Sequence, residues 1–231
     1  MAGNKQLILF DIDGTILHPG KLARKLMDEV VTEKVGRSPD LQFTDVAGFT
    51  DPVIMRSALK KLGINESNFT ALVDELLTRY LVRLRQTYPN YQEPKLYKDS
   101  IELVHRCKAE GWHVGLLSGN IREGAKIKLS RFNVWNEFDF GVFGDEVVSR
   151  EDLLCLARER AWDELSEAYT YDQMVMVGDT PNDVRIANLN HVRSLIVCRY
   201  PEWWSKIEEK DPTWLVDSFK DVDTIMEWLF E

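Results

Sequence analysis

Five short runs are largely apolar and rich in leucine or β-branched residues: Leu7 to Phe10, His113 to Leu117, Met174 to Val177, Ser194 to Cys198 and a weaker run from Trp214 to Val216. Each stops at polar or turn residues, and segments of helical period lie between them. A strand apolar on both faces must be covered on both sides, as a parallel strand is by helices above and below it. Helices are expected over Ser100 to Glu110, Arg122 to Phe132, Glu151 to Glu164, Asn182 to Asn188 and Val222 to Phe230.

This alternation predicts an α/β fold with a doubly wound, Rossmann-like parallel sheet. One interval departs from it. Between Leu17 and about Pro94 nothing reads as a strand, while three helical patterns follow one another. Leu22, Leu26, Val30 and Val31 form one stripe. Asp51 reads as an N-cap before Pro52, opening a helix to Leu62, and Leu72, Leu76, Tyr80 and Leu84 form a third stripe at fourfold spacing. The expected organisation is therefore a catalytic core of residues 1–16 and 94–231 with an inserted all-helical cap of residues 17–93. The insertion leaves from the carboxyl ends of the strands, the edge at which open α/β sheets bind ligands.

With 44% hydrophobic and 29% charged residues the chain has the composition of a soluble globular protein. A net charge of −9 disfavours nucleic acid and anionic membrane as partners. Cys107, Cys155 and Cys198 are too scattered for a zinc site or a disulfide framework. No segment has the length of a membrane span or of a signal peptide, so the expected location is the cytoplasm, as a monomer or homodimer.

The chemistry is expected where the strands end. Asp11 follows the first run, and Gly14 permits a tight turn just beyond Asp13. "VGDTPND" repeats the arrangement with Asp179 and Asp183. Carboxylates about 4 Å apart repel by on the order of 4 kcal/mol per pair at an effective dielectric of 20, so such a cluster needs a cation or a proton. Hard oxygen donors without His or Cys point to Mg²⁺. The "LLSGN" tip supplies Ser118, Gly119, Asn120 and the amides at the start of a helix, which suit an oxyanion. Acids for a metal beside donors for an oxyanion describe phosphoryl transfer, with Asp11 as nucleophile and Asp13 as acid and base.

The ordered set "FDIDGT", "LLSGN" and "VGDTPND" resembles the haloacid dehalogenase superfamily, in particular its helical-cap members of phosphoglycolate-phosphatase and β-phosphoglucomutase type. The resemblance implies Asp11 as nucleophile and metal ligand, Asp13 as acid/base with its carbonyl on the metal, Ser118 on the phosphate and Asp179 on the metal. It places Asp183 behind them, orienting a metal-bound water or a basic partner. The family's lysine ahead of the last motif has no direct counterpart. Arg150 in "SRED" is preferred for its charge because guanidinium suits bidentate phosphate binding, with Lys126 and Lys128 as alternatives.

The expected function is a Mg²⁺-dependent phosphatase that hydrolyses a small phosphorylated metabolite through an aspartyl phosphate. Alternatives are a phosphomutase and a phosphoaspartate signalling or binding module. Dehalogenation is disfavoured because it needs neither Asp13 nor a metal. A calcium loop is excluded by register, since Gly14 comes two positions early and Leu22 stands where the closing Glu belongs. Thr50 and Asp51 in "GFTDP" are candidate substrate contacts from the cap. His18 lies at the expected hinge within reach of substrate. Trp203 and Trp204 read as packing or partner surface on the site's edge.

Overall fold

The fold is known from a computed structural model that describes residues 5–65 and 69–230. Residues 1–4 and 231 of the expected core and 66–68 of the expected cap lie outside the described residues.

In chain order, β1 (Leu7–Phe10) leads to a two-residue strand β2 (Leu17–His18), helices α1 (Leu22–Val35), α2 (Phe43–Val46), α3 (Asp51–Lys61) and α4 (Phe69–Thr87), and a return strand β3 (Lys95–Leu96). Then follow α5 (Lys98–Ala109), β4 (His113–Ser118), α6 (Arg122–Ser130), β5 (Phe140–Phe143), α7 (Leu153–Leu165), β6 (Met174–Gly178), α8 (Pro181–Leu189), β7 (Arg193–Val197), α9 (Trp204–Glu208), β8 (Trp214–Val216) and α10 (Val222–Phe230).

Six strands form one parallel sheet in the order β5-β4-β1-β6-β7-β8. β1 lies between β4 and β6, with Phe10 opposite Leu116 and Val177. Its side chains alternate between two apolar clusters. Ile8 and Phe10 pack with Val114, Val175 and Leu103 on one face, and Leu7 and Leu9 with Met176, Leu154 and Ala187 on the other. This is why the run shows no polar period, and each such fully buried side chain contributes about 1.5–3 kcal/mol.

α1, α3 and α4 bury Val30, Met55, Leu76 and Tyr80 in an apolar cluster of their own. They join the sheet through β2 and β3, which pair antiparallel with Leu17 opposite Leu96. These two-residue strands are too short to leave a periodic signal in the sequence.

Two local readings are corrected. β5 was not expected, because Gly141 and Gly144 make "FGVFG" look like a turn; in the sheet, a Cβ on Gly141 would lie 2.6 Å from the Phe143 ring. The N-cap of α3 is Thr50, not Asp51. The Thr50 hydroxyl accepts from the Val53 amide at 3.4 Å, and the Asp51 carboxylate turns away to another partner.

Candidate active site

A parallel sheet places its carboxyl ends on one edge, so β1, β4 and β6 deliver Asp11, Ser118 and Asp179 to a common crevice. The turn after β1 depends on Gly14, which has φ +91°; a Cβ there would lie 1.9 Å from Asp179 Oδ2. Only glycine lets the two acidic loops approach so closely.

Asp11, Asp179 and Asp183 each present an oxygen atom within 4.8 Å of the others. Their situations differ. Arg150, itself buried, places Nη2 2.6 Å from Asp183 Oδ1 and 3.4 Å from Asp11 Oδ2. Asp183 Oδ2 accepts from the amides of Asp179 (3.2 Å) and Thr180 (2.9 Å) and from the Thr180 hydroxyl (2.7 Å). Both Asp183 oxygens are thus engaged by protein, in bonds to Arg150 and to the loop carrying Asp179. By contrast, Asp13 Oδ1 and Asp179 Oδ1 are buried without a hydrogen-bond partner. Unpartnered buried carboxylate oxygens are costly, and a hard cation beside Asp11 and Asp179 would satisfy the one on Asp179.

The electrostatics agree. Burial pushes the Asp11 carboxyl up to about 6; Arg150 opposes this, while Asp183 and Asp13 add to it. Burial, with Asp183 and Asp11, raises Asp179 well above the usual carboxylate range. For Arg150 burial works against the charge, yet the carboxylates of Asp183, Asp11 and Asp179 outweigh it and raise its pKa.

Two of the three candidate sources of positive charge, Arg150 and Lys128, reach the site. Lys128, 2% exposed, donates to Asn120 Oδ1 at 2.6 Å and to Asp13 Oδ2. Asn120 Nδ2 in turn donates to Asp13 Oδ2 (3.0 Å) and Ser118 Oγ (2.9 Å). Lys126 points to solvent from the other face of α6. A sequence signal existed: Ile121, Ala125, Lys128 and Leu129 share one helical face, so Lys128 lies on the apolar stripe.

The anion site is narrower than expected. Asp51 Oδ2 accepts from the Ile121 amide and Asp145 Oδ1 from the Arg122 amide, both at 2.9 Å, so these α6 amides are already occupied. Ser118, Gly119 and Asn120 remain at the crevice, where they line a cavity of about 380 Å³ with Asp11, Asp13, Asp51, Lys128, Arg150 and Asp179. Neither Thr50 nor Asp183 is among its lining residues. Thr50 acts as the helix cap, and burial pushes Asp51 up to about 7 against the influence of Lys128.

The loop before α3 rests on the sheet edge. The Asp51 amide donates to Gly119 O at 2.8 Å, and Asn182 Nδ2 donates to Gly48 O. A Cβ on Gly119 would lie 2.3 Å from Phe49 O, so this glycine admits the loop. Asn182, Phe43 and Phe49 were not singled out from sequence, because their partners are far away along the chain. His18 lines the cavity with Nδ1 accepting from the Gly20 amide at 3.1 Å, and Trp203 lines it too.

The sequence model for haloacid dehalogenase-like hydrolases matches residues 5–189. The chain belongs to the haloacid dehalogenase-like hydrolases. Among curated proteins this hydrolase is 24% identical over 220 residues to a phosphoglycolate phosphatase of Aliivibrio fischeri, covering 93% of each chain. Its fold is shared with solved structures. A predicted phosphatase from Clostridium acetobutylicum matches with TM-score 0.73 and 20% identity over 96% of this chain and 99% of the other. CbbY from Rhodobacter sphaeroides, solved in complex with phosphate, matches with TM-score 0.68 and 18% identity over 93% and 95%. No helix among the described residues is long and apolar enough to cross a membrane.

Proposed function

We propose that this hydrolase is a Mg²⁺-dependent phosphatase that cleaves a small phosphate monoester through an aspartyl phosphate on Asp11, beneath a helical cap of residues 17–93. The observation that carries the reading is the cluster of Asp11, Asp179 and Asp183, with a buried, unpartnered oxygen on Asp179 and another on the nearby Asp13, beside Arg150 and Lys128. The phosphatase names of the curated relatives support it.

Asp11, Asp179 and the Asp13 segment would hold the metal. Bound there, Mg²⁺ supplies charge neutralisation for the meeting of an anionic nucleophile with an anionic phosphate. The remaining steps belong to protein side chains. Asp11 attacks phosphorus, its orientation fixed by Arg150, which Asp183 holds from behind. Asp13 gives its proton to the leaving oxygen and later takes one from the water that opens the acyl phosphate. Ser118, Asn120 and Lys128 form one hydrogen-bonded chain ending on Asp13, so the groups suited to phosphate oxygens also position the acid.

The test is release of inorganic phosphate from 4-nitrophenyl phosphate with Mg²⁺ or with excess chelator. Turnover is expected with the metal and a loss of at least about 100-fold without it. Equal rates in the two conditions would overturn the metal assignment. Labelling of Asp11 without phosphate release would point to a mutase or a signalling module.

A pH dependence follows. The folded pKa of about 6 for Asp11 lies above the ordinary 3.8, and Asp51 and Asp179 are shifted the same way. Charging such groups opposes folding. Their penalty is absent below about pH 4 and grows as pH rises through about 6 to 7 in the metal-free protein. A cation relieves the part arising at Asp11 and Asp179, so Mg²⁺ should raise the melting temperature by several degrees at pH 8 and much less at pH 5. Differential scanning fluorimetry at both pH values checks this, and an equal shift would contradict it.

A further inference from the structure

Resting on the phosphatase reading, we propose that the substrate's organic part is an uncharged, ring-sized apolar group, recognised by a wall of Phe43, Phe49 and Trp203. The cavity is two-sided in chemistry. Its floor holds the carboxylates, Arg150 and Lys128, which a phosphoryl group would engage. The rest of its wall includes Met27, Val46 and Ile54 from the cap together with those three aromatic residues. At about 380 Å³ it falls in the size range of sites that enclose whole small molecules, about 300–1,000 Å³.

Phe43 and Phe49 are 49% and 45% exposed, although the helices around them fill an apolar cluster of their own without these two rings. Both belong to one short stretch of the cap and both face the cavity. From the sheet side, Trp203 meets Phe43 edge-on, with ring centroids 5.5 Å apart and an interplanar angle of 86°. Lys206 Nζ lies 5.0 Å from the Trp203 ring centroid and helps hold the indole. Half-exposed aromatic rings lining an open cleft are the surface that a ligand ring covers favourably.

A two-carbon carboxylate fits this wall poorly, since it would leave the rings wet and set a second anion against them. The charged side chains bordering the wall do not correct this. Arg24 is held by a hydrogen bond from Nη1 to Leu41 O at 3.0 Å, His18 Nδ1 accepts from the Gly20 amide, and the exposed Lys21 and Glu202 in the same lining carry opposite charges. The preference therefore runs away from phosphoglycolate, the compound in the curated relatives' names. Burial of a phenyl-sized group corresponds to a preference on the order of 30-fold.

The experiment compares benzyl phosphate with phosphoglycolate in Mg²⁺. Both release an alcohol, so a difference between them reports recognition and not the ease of departure of a phenolate. Wild type should show kcat/KM about 30-fold higher for benzyl phosphate, and this ratio should fall about tenfold in Trp203→Ala and in Phe49→Ala. Calorimetric titration of Asp11→Asn with the same two ligands should show the same order of affinity without turnover. Equal treatment of the two ligands, preference for phosphoglycolate, or a ratio unmoved by both wall variants would overturn the ring-recognising wall while leaving the phosphatase reading in place. Absence of turnover in wild type, with benzyl phosphate still preferred in the titration, would overturn the phosphatase reading and support the wall. Neither turnover nor binding would overturn both.

Discussion

Replacing Asp11 by Asn is expected to lower phosphate release by at least about 10⁴-fold, as loss of a covalent nucleophile does in other enzymes. The substitution keeps the shape of the side chain and removes the charge that attacks phosphorus. Stability should move the other way. The Asp11 carboxylate is buried and its pKa is raised to about 6, so at pH 8 its charge opposes folding in the metal-free protein. Arg150 keeps Asp183 as its partner when that charge is gone. The melting temperature of metal-free Asp11→Asn at pH 8 should equal or exceed that of wild type. A variant retaining more than about one hundredth of wild-type turnover would remove Asp11 from the nucleophile's role.

Asp183→Ala should be the most destabilising single change in the site. It leaves the buried Arg150 with only its longer contact to Asp11 and releases the amides of Asp179 and Thr180 together with the Thr180 hydroxyl. Breaking a buried ion pair by removing one partner costs about 3–5 kcal/mol. Chemical denaturation should show a lower midpoint with an unchanged slope. Asp183→Asn, which keeps an acceptor for the loop, should lose less. A loss below about 1 kcal/mol in Asp183→Ala would mean that Arg150 finds its compensation elsewhere.

Much of this molecule is legible from residue patterns because its chemistry is tied to strand ends. A buried parallel strand announces itself by lacking a polar face, and the residues that follow it necessarily lie on the ligand-binding edge. Asp11, Ser118 and Asp179 each follow or end such a run and so lie on that edge. β5 was hidden for a physical reason. Gly141 has no side chain so that the Phe143 ring has space, a Cβ there coming 2.6 Å from it, and a glycine within so short a strand reads as a turn. The contacts between the inserted helices and the sheet edge were equally hidden. Asn182 meets Gly48 O and Phe43 meets Trp203 across more than 130 residues, and no local period encodes such pairs. Lys128 stands between these cases. Its place on the apolar stripe of α6 was readable, whereas its contact with Asp13 required the fold.

The order of the sheet also governs when the site comes into being during synthesis. β1 is made first, yet its partners are residues 113–116 on one side and 174–177 on the other. The helices between Leu22 and Thr87 bury their cluster largely among themselves and can close over short stretches of chain. A growing chain therefore holds Asp11 at the end of an unpaired hydrophobic strand until β4 and then β6 emerge, and Arg150 has no Asp183 until α8 follows. Until then this apolar segment lacks the partners that cover it in the native sheet, as unpaired strand edges do in partly folded chains.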